Sequence, residues 1–177
     1  MKTVGVIGAG QMGAGIAQVS AAAGFHVLLA DVDRDRAEAG KAGIAKRLTR
    51  DVEKGKIDGQ ARDQLLARIE TVDGVAAMAP CELVVEAATE REPIKRQIFA
   101  EVGKVLGPDA ILASNTSSIP ITRLAQAAPD AGRFIVRRIS AGRSRIELLI
   151  RNFEHDVIPW RCLGEMEVHG ELRAAQR

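Results

Sequence analysis

The chain of 177 residues has no tyrosine, one tryptophan and four phenylalanines. A platform that stacks single-stranded bases wants several exposed rings, so this composition argues against one. Cysteine is nearly as scarce. Cys81 and Cys162 stand far apart with no C-x-x-C spacing, which argues against a structural zinc site and a disulfide scaffold. No metal site is expected, and both thiols are expected to be reduced, as in a cytoplasmic protein. Charge of one sign is lacking too: 25 basic and 23 acidic residues leave a net +2, which gives no ground for a nucleic-acid or membrane partner. No apolar run approaches the roughly 18–20 residues of a membrane span. The start, Met1-Lys2-Thr3-Val4, leads into an apolar run shorter than a signal peptide needs. The expectation is a soluble, cytoplasmic protein.

What is present is ordinary for a globular fold. Hydrophobic residues make up 46% and charged residues 27%, which argues against disorder. At roughly 100–200 residues per domain there is room for one domain and little more. A chain of this length buries about two-thirds of its unfolded surface without a covalent staple.

Residues 3–7 read as a buried strand, followed by glycines at Gly8, Gly10 and Gly13 and a small-residue helix over 14–23. Gly24 stands where a helix commonly ends in a left-handed residue. A second apolar run over 25–30 closes at Asp31. Strand, glycine turn, helix and strand make a βαβ unit. Residues 33–70 are densely charged, with Ala37, Ile44, Leu48 and Val52 at helical steps, a break from Gly55 to Gly59, then Ala61, Leu65, Leu66 and Ile69. This spacing predicts two helices packed as a hairpin, inserted between the second and third strands. Further strands are expected at 83–87, 110–113 and 134–136, with helices at 94–106, where Pro93 suits a helix start, and at 120–127. Alternating strands and helices predict an α/β fold with a doubly wound parallel sheet. Residues 1–135 hold 17 basic and 17 acidic side chains and residues 136–177 hold 8 and 6, so the net charge falls in the tail.

Gly8-Ala9-Gly10-Gln11-Met12-Gly13 fits G-x-G-x-x-G, and Asp31 follows Gly13 by 18 residues. Alone the pattern is weak. After a strand, before a helix and with the acid at the next strand's end, it reads as a dinucleotide site. Gly8 permits the tight turn, Gly10 lets pyrophosphate approach the backbone, and Gly13 lets the helix approach the strand. The helix N-terminus offers N–H groups and partial positive charge to the phosphates. Asp31 would accept from the adenosine ribose hydroxyls and repel a 2′-phosphate, which favours NAD over NADP. Arg34 and Arg36 stand close enough in sequence to bear on that choice.

Three stretches in order now carry a resemblance: Val6-Ile7-Gly8-Ala9-Gly10-Gln11-Met12-Gly13-Ala14-Gly15-Ile16-Ala17-Gln18, Leu83-Val84-Val85-Glu86-Ala87-Ala88-Thr89-Glu90, and Ala113-Ser114-Asn115-Thr116-Ser117-Ser118-Ile119. Residues 1–135 resemble the N-terminal NAD-binding domain of the 3-hydroxyacyl-CoA dehydrogenases, of the 3-hydroxybutyryl-CoA dehydrogenase type. The resemblance implies a Rossmann sheet with an inserted helical hairpin and oxidation of a 3-hydroxyacyl-CoA to a 3-oxoacyl-CoA by hydride transfer to NAD, in fatty-acid or butanoate metabolism. It implies that Glu90 and Lys95 lie near the nicotinamide half of NAD, that Asn115 is among the cofactor-binding residues, and that Ser117 hydrogen-bonds the reacting oxygen and borders the nicotinamide. It also implies that Lys54 meets the CoA of an acyl-CoA substrate. The residues themselves allow plainer roles. Asn115 to Ser117 suit a turn and helix cap, and Glu90, Lys95 and Lys54 suit an exposed surface.

The sequence departs from the family after residue 135. Where the family has a general-base histidine, oriented by a glutamate further on, Arg138 stands, and arginine cannot act as a base near neutral pH. Ile146-Glu147-Leu148-Leu149-Ile150 resembles the glutamate segment at altered spacing, so Glu147 is either that acid or an exposed helix residue. The remaining histidines, His26, His155 and His169, stand in the second strand and in the tail. The family's helical C-terminal domain is expected to be absent, with residues 136–177 as a divergent tail of the kind a frameshift or truncation would leave. A homodimer, or a partner subunit supplying the helical half, would then be needed for a full substrate cleft. Two readings stand beside the dehydrogenase: a non-catalytic NAD-binding module, and another small Rossmann oxidoreductase that uses the tail as a lid.

Overall fold

The first strand, β1 (Thr3–Ile7), buries its last four residues. A strand with no wet side belongs in a parallel sheet covered on both faces. In the computed structural model, which describes residues 2–116 and 118–128, β1 pairs in parallel with β2 (His26–Ala30) and with β4 (Leu83–Glu86). β3 (Ile69–Thr71) adds beside β2, and β5 (Ile111–Ser114) beside β4. Among the described residues the order is β3-β2-β1-β4-β5. The chain therefore winds outward in one direction from β1 and then returns to wind in the other. The gap between β1 and β4 is the switch point at which such sheets bind ligands.

Alternate residues of each strand face opposite sides, and the two sides have different cores. Val4, Val6, Val27 and Leu29 face Ile16 and Ala17 of α1 (Gln11–Ala22) and Ile44 and Leu48 of α2 (Arg34–Glu53). Ile7, Leu28 and Val84 face Met78 and, from α4 (Glu92–Val105), Phe99 and Val102. Leu124 of α5 (Ile121–Ala125) joins this second cluster. Helices cover both faces, as the doubly wound reading requires.

The hairpin is α2 followed by α3 (Gly59–Ala67). Each helix starts on an aspartate: Asp33 accepts from the Arg36 N–H at 2.8 Å and Asp58 from the Ala61 N–H at 2.6 Å. Such caps satisfy an otherwise orphan donor, worth about 1 kcal/mol each. Ala37, Ile44 and Leu48 are buried along α2 as their spacing predicts. Gly24 ends α1 with a φ of 92°, the left-handed value expected of it.

Most boundaries shift by one or two residues, and two differences have a structural reason. α1 begins at Gln11 rather than residue 14, because its glycines serve close packing inside the helix and do not mark its edge. Ile69 belongs to β3 and not to the second hairpin helix. It keeps helical spacing to Leu65 and Leu66, and a three-residue strand is too short to show alternation. The strand counted third in the sequence is thus β4. A short 3₁₀ turn, Val75–Met78, also precedes it. The strand expected at 134–136, the domain boundary at 135 and the tail lie outside the described residues.

Candidate functional site

The glycine turn joins the C-terminal end of β1 to the N-terminus of α1. Gly8 has φ of 102°, and a Cβ there would lie 2.5 Å from Cα of Ala88, in the loop after β4. A Cβ on Gly13 would overlap the Gly8 carbonyl oxygen. The fold itself demands glycine at both positions. Gly10 is different: a Cβ there would meet nothing within 4 Å. No packing inside the protein requires glycine at that point, whereas a group approaching the backbone closely does. Gly10 caps α1 without a side-chain hydrogen bond, and the first turn of α1 carries no acidic residue. The positive end of the helix therefore opens on the turn with no acid of its own to offset it.

Asp31 stands at the end of β2, its side chain 13% exposed. Its Oδ2 accepts from the Ala9 N–H at 2.6 Å and its Oδ1 from the Val32 N–H at 2.8 Å. The carboxylate thus fixes the glycine turn, and its remaining lone pairs are left for a ligand, since a carboxylate has about four acceptor sites. The Nε of Arg36 lies 3.5 Å from Oδ1. Gly10, Asp31, Arg36 and Gly40 help line a cleft of about 390 Å³. A Cβ on Gly40 would lie 2.6 Å from that of Ala9, so α2 leans directly on the turn. Val32 is 81% exposed beside Asp31, an apolar side chain left uncovered at the lip.

Across the switch point, β4 and β5 carry a second polar cluster. Lys95 Nζ donates to Glu86 Oε2 at 2.6 Å and to Ser114 Oγ at 3.1 Å, and Ser114 Oγ donates to the same Glu86 oxygen at 2.6 Å. All three residues are fully buried. Glu86 Oε1 accepts from the Ala88 N–H at 2.9 Å, which holds the loop that abuts Gly8. Burying two charges is costly unless they pair and their other lone pairs are used, and here they are. Above this cluster, Glu90 accepts from Thr116 Oγ1 at 2.8 Å and Ser118 Oγ at 3.2 Å. The Asn115 N–H donates to the Glu86 carbonyl at 2.7 Å. The loop after β4 thus abuts the glycine turn, and the loop after β5 is tied to the end of β4, along the crevice at the switch point.

The sequence-predicted residues sort as follows. Ala9, Gly10, Gln11 and Asp31 line the cleft, while Gly8 and Gly13 pack against backbone and Met12 is exposed. Glu90 and Asn115 stand on the loops after β4 and β5, outside the residues that line it. Lys95 is fully buried, which corrects its reading as an exposed helix residue. Its spacing to Phe99 and Val102, four and seven residues on, was the available signal. Lys54 is exposed at the C-terminal cap of α2. It stands 14 residues beyond Gly40, about 21 Å along the helix at 1.5 Å per residue, and is not drawn into the crevice. Ser117, Arg138 and Glu147 lie outside the described residues. Glu86, Ser114 and Gly40 had not been singled out. An acid ending an all-apolar strand was the signal for Glu86, and nothing local marked Gly40.

Burial pushes the Cys81 thiol up to about 11, so it stays protonated near neutral pH and is a poor nucleophile. No group of side chains able to hold a metal ion occurs among the described residues. No helix among them is long and apolar enough to cross a membrane.

Comparison with known proteins agrees with this geometry. The model of the family described as 3-hydroxyacyl-CoA dehydrogenase, NAD binding domain, matches residues 3–137. The chain is 51% identical over 135 residues to a 3-hydroxybutyryl-CoA dehydrogenase of Bradyrhizobium diazoefficiens, covering 76% of this chain and 46% of that protein. Among solved structures it is similar to Mycobacterium tuberculosis FadB2, with a TM-score of 0.75 at 42% identity over 77% of this chain and 48% of that one. It is also similar to the (S)-3-hydroxybutyryl-CoA dehydrogenase PaaH1 of Ralstonia eutropha, with a TM-score of 0.76 at 37% identity over 80% and 50%. The chain spans about half the length of the curated relatives it matches. Its open glycine on a helix N-terminus, beside the Asp31 carboxylate, fits NAD, the cofactor of these domains. The chain belongs to the 3-hydroxyacyl-CoA dehydrogenase NAD-binding domain family.

Proposed function

We propose that this chain supplies the cofactor-binding half of an NAD-dependent 3-hydroxyacyl-CoA dehydrogenase, residues 1–135 forming the NAD-binding domain and residues 136–177 a divergent tail. The observation that carries this reading is Gly10, open to space on the N-terminus of α1 beside the pinned carboxylate of Asp31. Gly8 to Gly13 hold the pyrophosphate, Asp31 the adenosine ribose, and Glu90 and Asn115 border the nicotinamide half. Lys95 acts there through Glu86 and Ser114. NAD, when bound, supplies the hydride acceptor for the C3–H of a 3-hydroxyacyl-CoA. The Ser117 hydroxyl orients the reacting oxygen, since it can donate to an oxyanion or accept from a hydroxyl. Glu147 is the acid of the family's glutamate segment, and Lys54 offers a point charge to a CoA phosphate. A partner subunit supplies the helical half of the cleft, with a homodimer as the other arrangement of the chain. A cytoplasmic setting belongs to the same proposal, supported by the unpaired, buried Cys81 thiol.

A second reading, an NAD-binding module without turnover, is favoured by one observation. Arg138 occupies the place of the family's base, and losing a general base typically costs about 10²–10⁴ in rate. Oxidation of NADH by the purified chain in the presence of acetoacetyl-CoA decides between them. Turnover above an enzyme-free control supports the dehydrogenase; saturable NAD binding with no turnover supports the module. Neither binding nor turnover would remove both.

A further inference from the structure

The adenosine end of the crevice carries a residue that the family's NAD preference does not account for. An acid at the end of β2 normally rejects a phosphate on the ribose 2′-oxygen by charge repulsion. Asp31 carries that charge here, but it does not stand alone. Both of its oxygens accept backbone N–H groups, from Ala9 and Val32, and its side chain is only 13% exposed. Beside it stands a cation. Arg36 Nε lies 3.5 Å from Asp31 Oδ1, while the Arg36 side chain as a whole is 69% exposed at the mouth of the cleft.

The setting leaves Arg36 free to act. It lies in the first turn of α2, where its backbone N–H is held by Asp33, so the base of the side chain is fixed and the guanidinium extends into solvent. Its neighbour Arg34 is already committed, to Glu38 at 3.0 Å and Asp73 at 3.7 Å. Asp33 spends its carboxylate on the helix cap. Arg36 touches Asp31 only at the edge of ion-pair range, an exposed contact worth little. A phosphate monoester offers it a bidentate, charge-assisted partner instead.

We propose that Arg36 sets cofactor selectivity at this crevice, making it tolerant of an adenosine 2′-phosphate, so that the chain takes NADP as well as NAD. With a 2′-hydroxyl present, Arg36 partly neutralises Asp31. With a 2′-phosphate present, it turns from Asp31 to the phosphate. This rests on the reading that Asp31 faces the adenosine ribose.

The test is calorimetric titration of the full chain, and of Arg36→Ala and Arg36→Lys, with NAD and with NADP. Arg36 is exposed, so both variants are expected to melt with the wild type. Wild type should bind both nucleotides. In Arg36→Ala the NADP-to-NAD ratio of dissociation constants should rise by at least about tenfold, the size of one lost hydrogen bond to a charged group. The ratio is the readout because Arg36 also faces Asp31, so that removing it acts on both nucleotides, and Arg36→Lys should fall between. An unchanged ratio in Arg36→Ala, with NAD still bound, overturns the selectivity role and leaves the NAD site standing. No binding of NAD by any of the three overturns both.

Discussion

At the scale of single residues, Asp31 bears the most weight. It fixes Ala9 and Val32, and in the proposed site its remaining lone pairs meet the ribose. Asp31→Ala should weaken NAD binding by roughly 1–3 kcal/mol, the range for a lost hydrogen-bonded charged partner. Unchanged affinity in a titration would remove Asp31 from the site. Cys81 gives a pH dependence. Its thiol is raised from 9.0 to about 11 in the folded chain. Below 9 both folded and unfolded states hold the proton. Between 9 and 11 only the folded state does, so this contribution to stability is lost as pH rises through that window. Wild type should therefore lose more stability than Cys81→Ala between pH 9 and 11 in urea titrations. Parallel losses would contradict the burial argument. The glycine turn and Asp31 were legible because their chemistry is local: three glycines and an acid at a fixed interval. Glu86 and Ser114 were not, since each has a meaning only beside a lysine brought from another element.

At the scale of elements, the Glu86–Lys95–Ser114 cluster ties the ends of β4 and β5 to α4. Removing one partner strands the other charge in the core. Lys95→Met should destabilise the chain by about 3–5 kcal/mol, while adding Glu86→Gln should cost much less than the sum of the two single changes. A denaturant double-mutant cycle reads this coupling, and strict additivity would mean the pair contributes nothing. Long, strongly periodic elements are readable: α2 shows its buried stripe at Ala37, Ile44 and Leu48, and β1 and β4 carry uncharged, buried runs over 4–7 and 83–85. β3 was not, because Ile69, Glu70 and Thr71 owe their strand state to pairing with Val27, Leu28 and Leu29, a partner more than forty residues away. Helix starts were misjudged where glycine serves packing, as at Gly13.

At the scale of the whole molecule, alternation of strand and helix was enough to give a doubly wound sheet, because right-handed crossovers leave few other arrangements. Where the ligand sits then follows from strand order alone, at the switch between β1 and β4. What the order does not give is the distance of Lys54 from that crevice, which depends on the length and direction of α2. An acyl-CoA held at both places would have to run along the hairpin. Lys54→Ala should then weaken acyl-CoA binding to the NAD-loaded chain by a few-fold, as for a solvated charge contact, and leave NAD binding unchanged. Equal acyl-CoA affinity in a competition titration would release Lys54 from that role.

The dinucleotide claim itself is reached most directly through Gly10, where a Cβ would meet no protein atom within 4 Å. NAD titrated calorimetrically into wild type and Gly10→Val, each with its melting temperature taken, separates binding from folding. Saturable one-to-one binding by wild type, lost in a variant that melts at nearly the same temperature, is the expected result. Equal affinity in the two proteins, or no heat from wild type, would mean that the open space over the helix N-terminus does not hold a pyrophosphate.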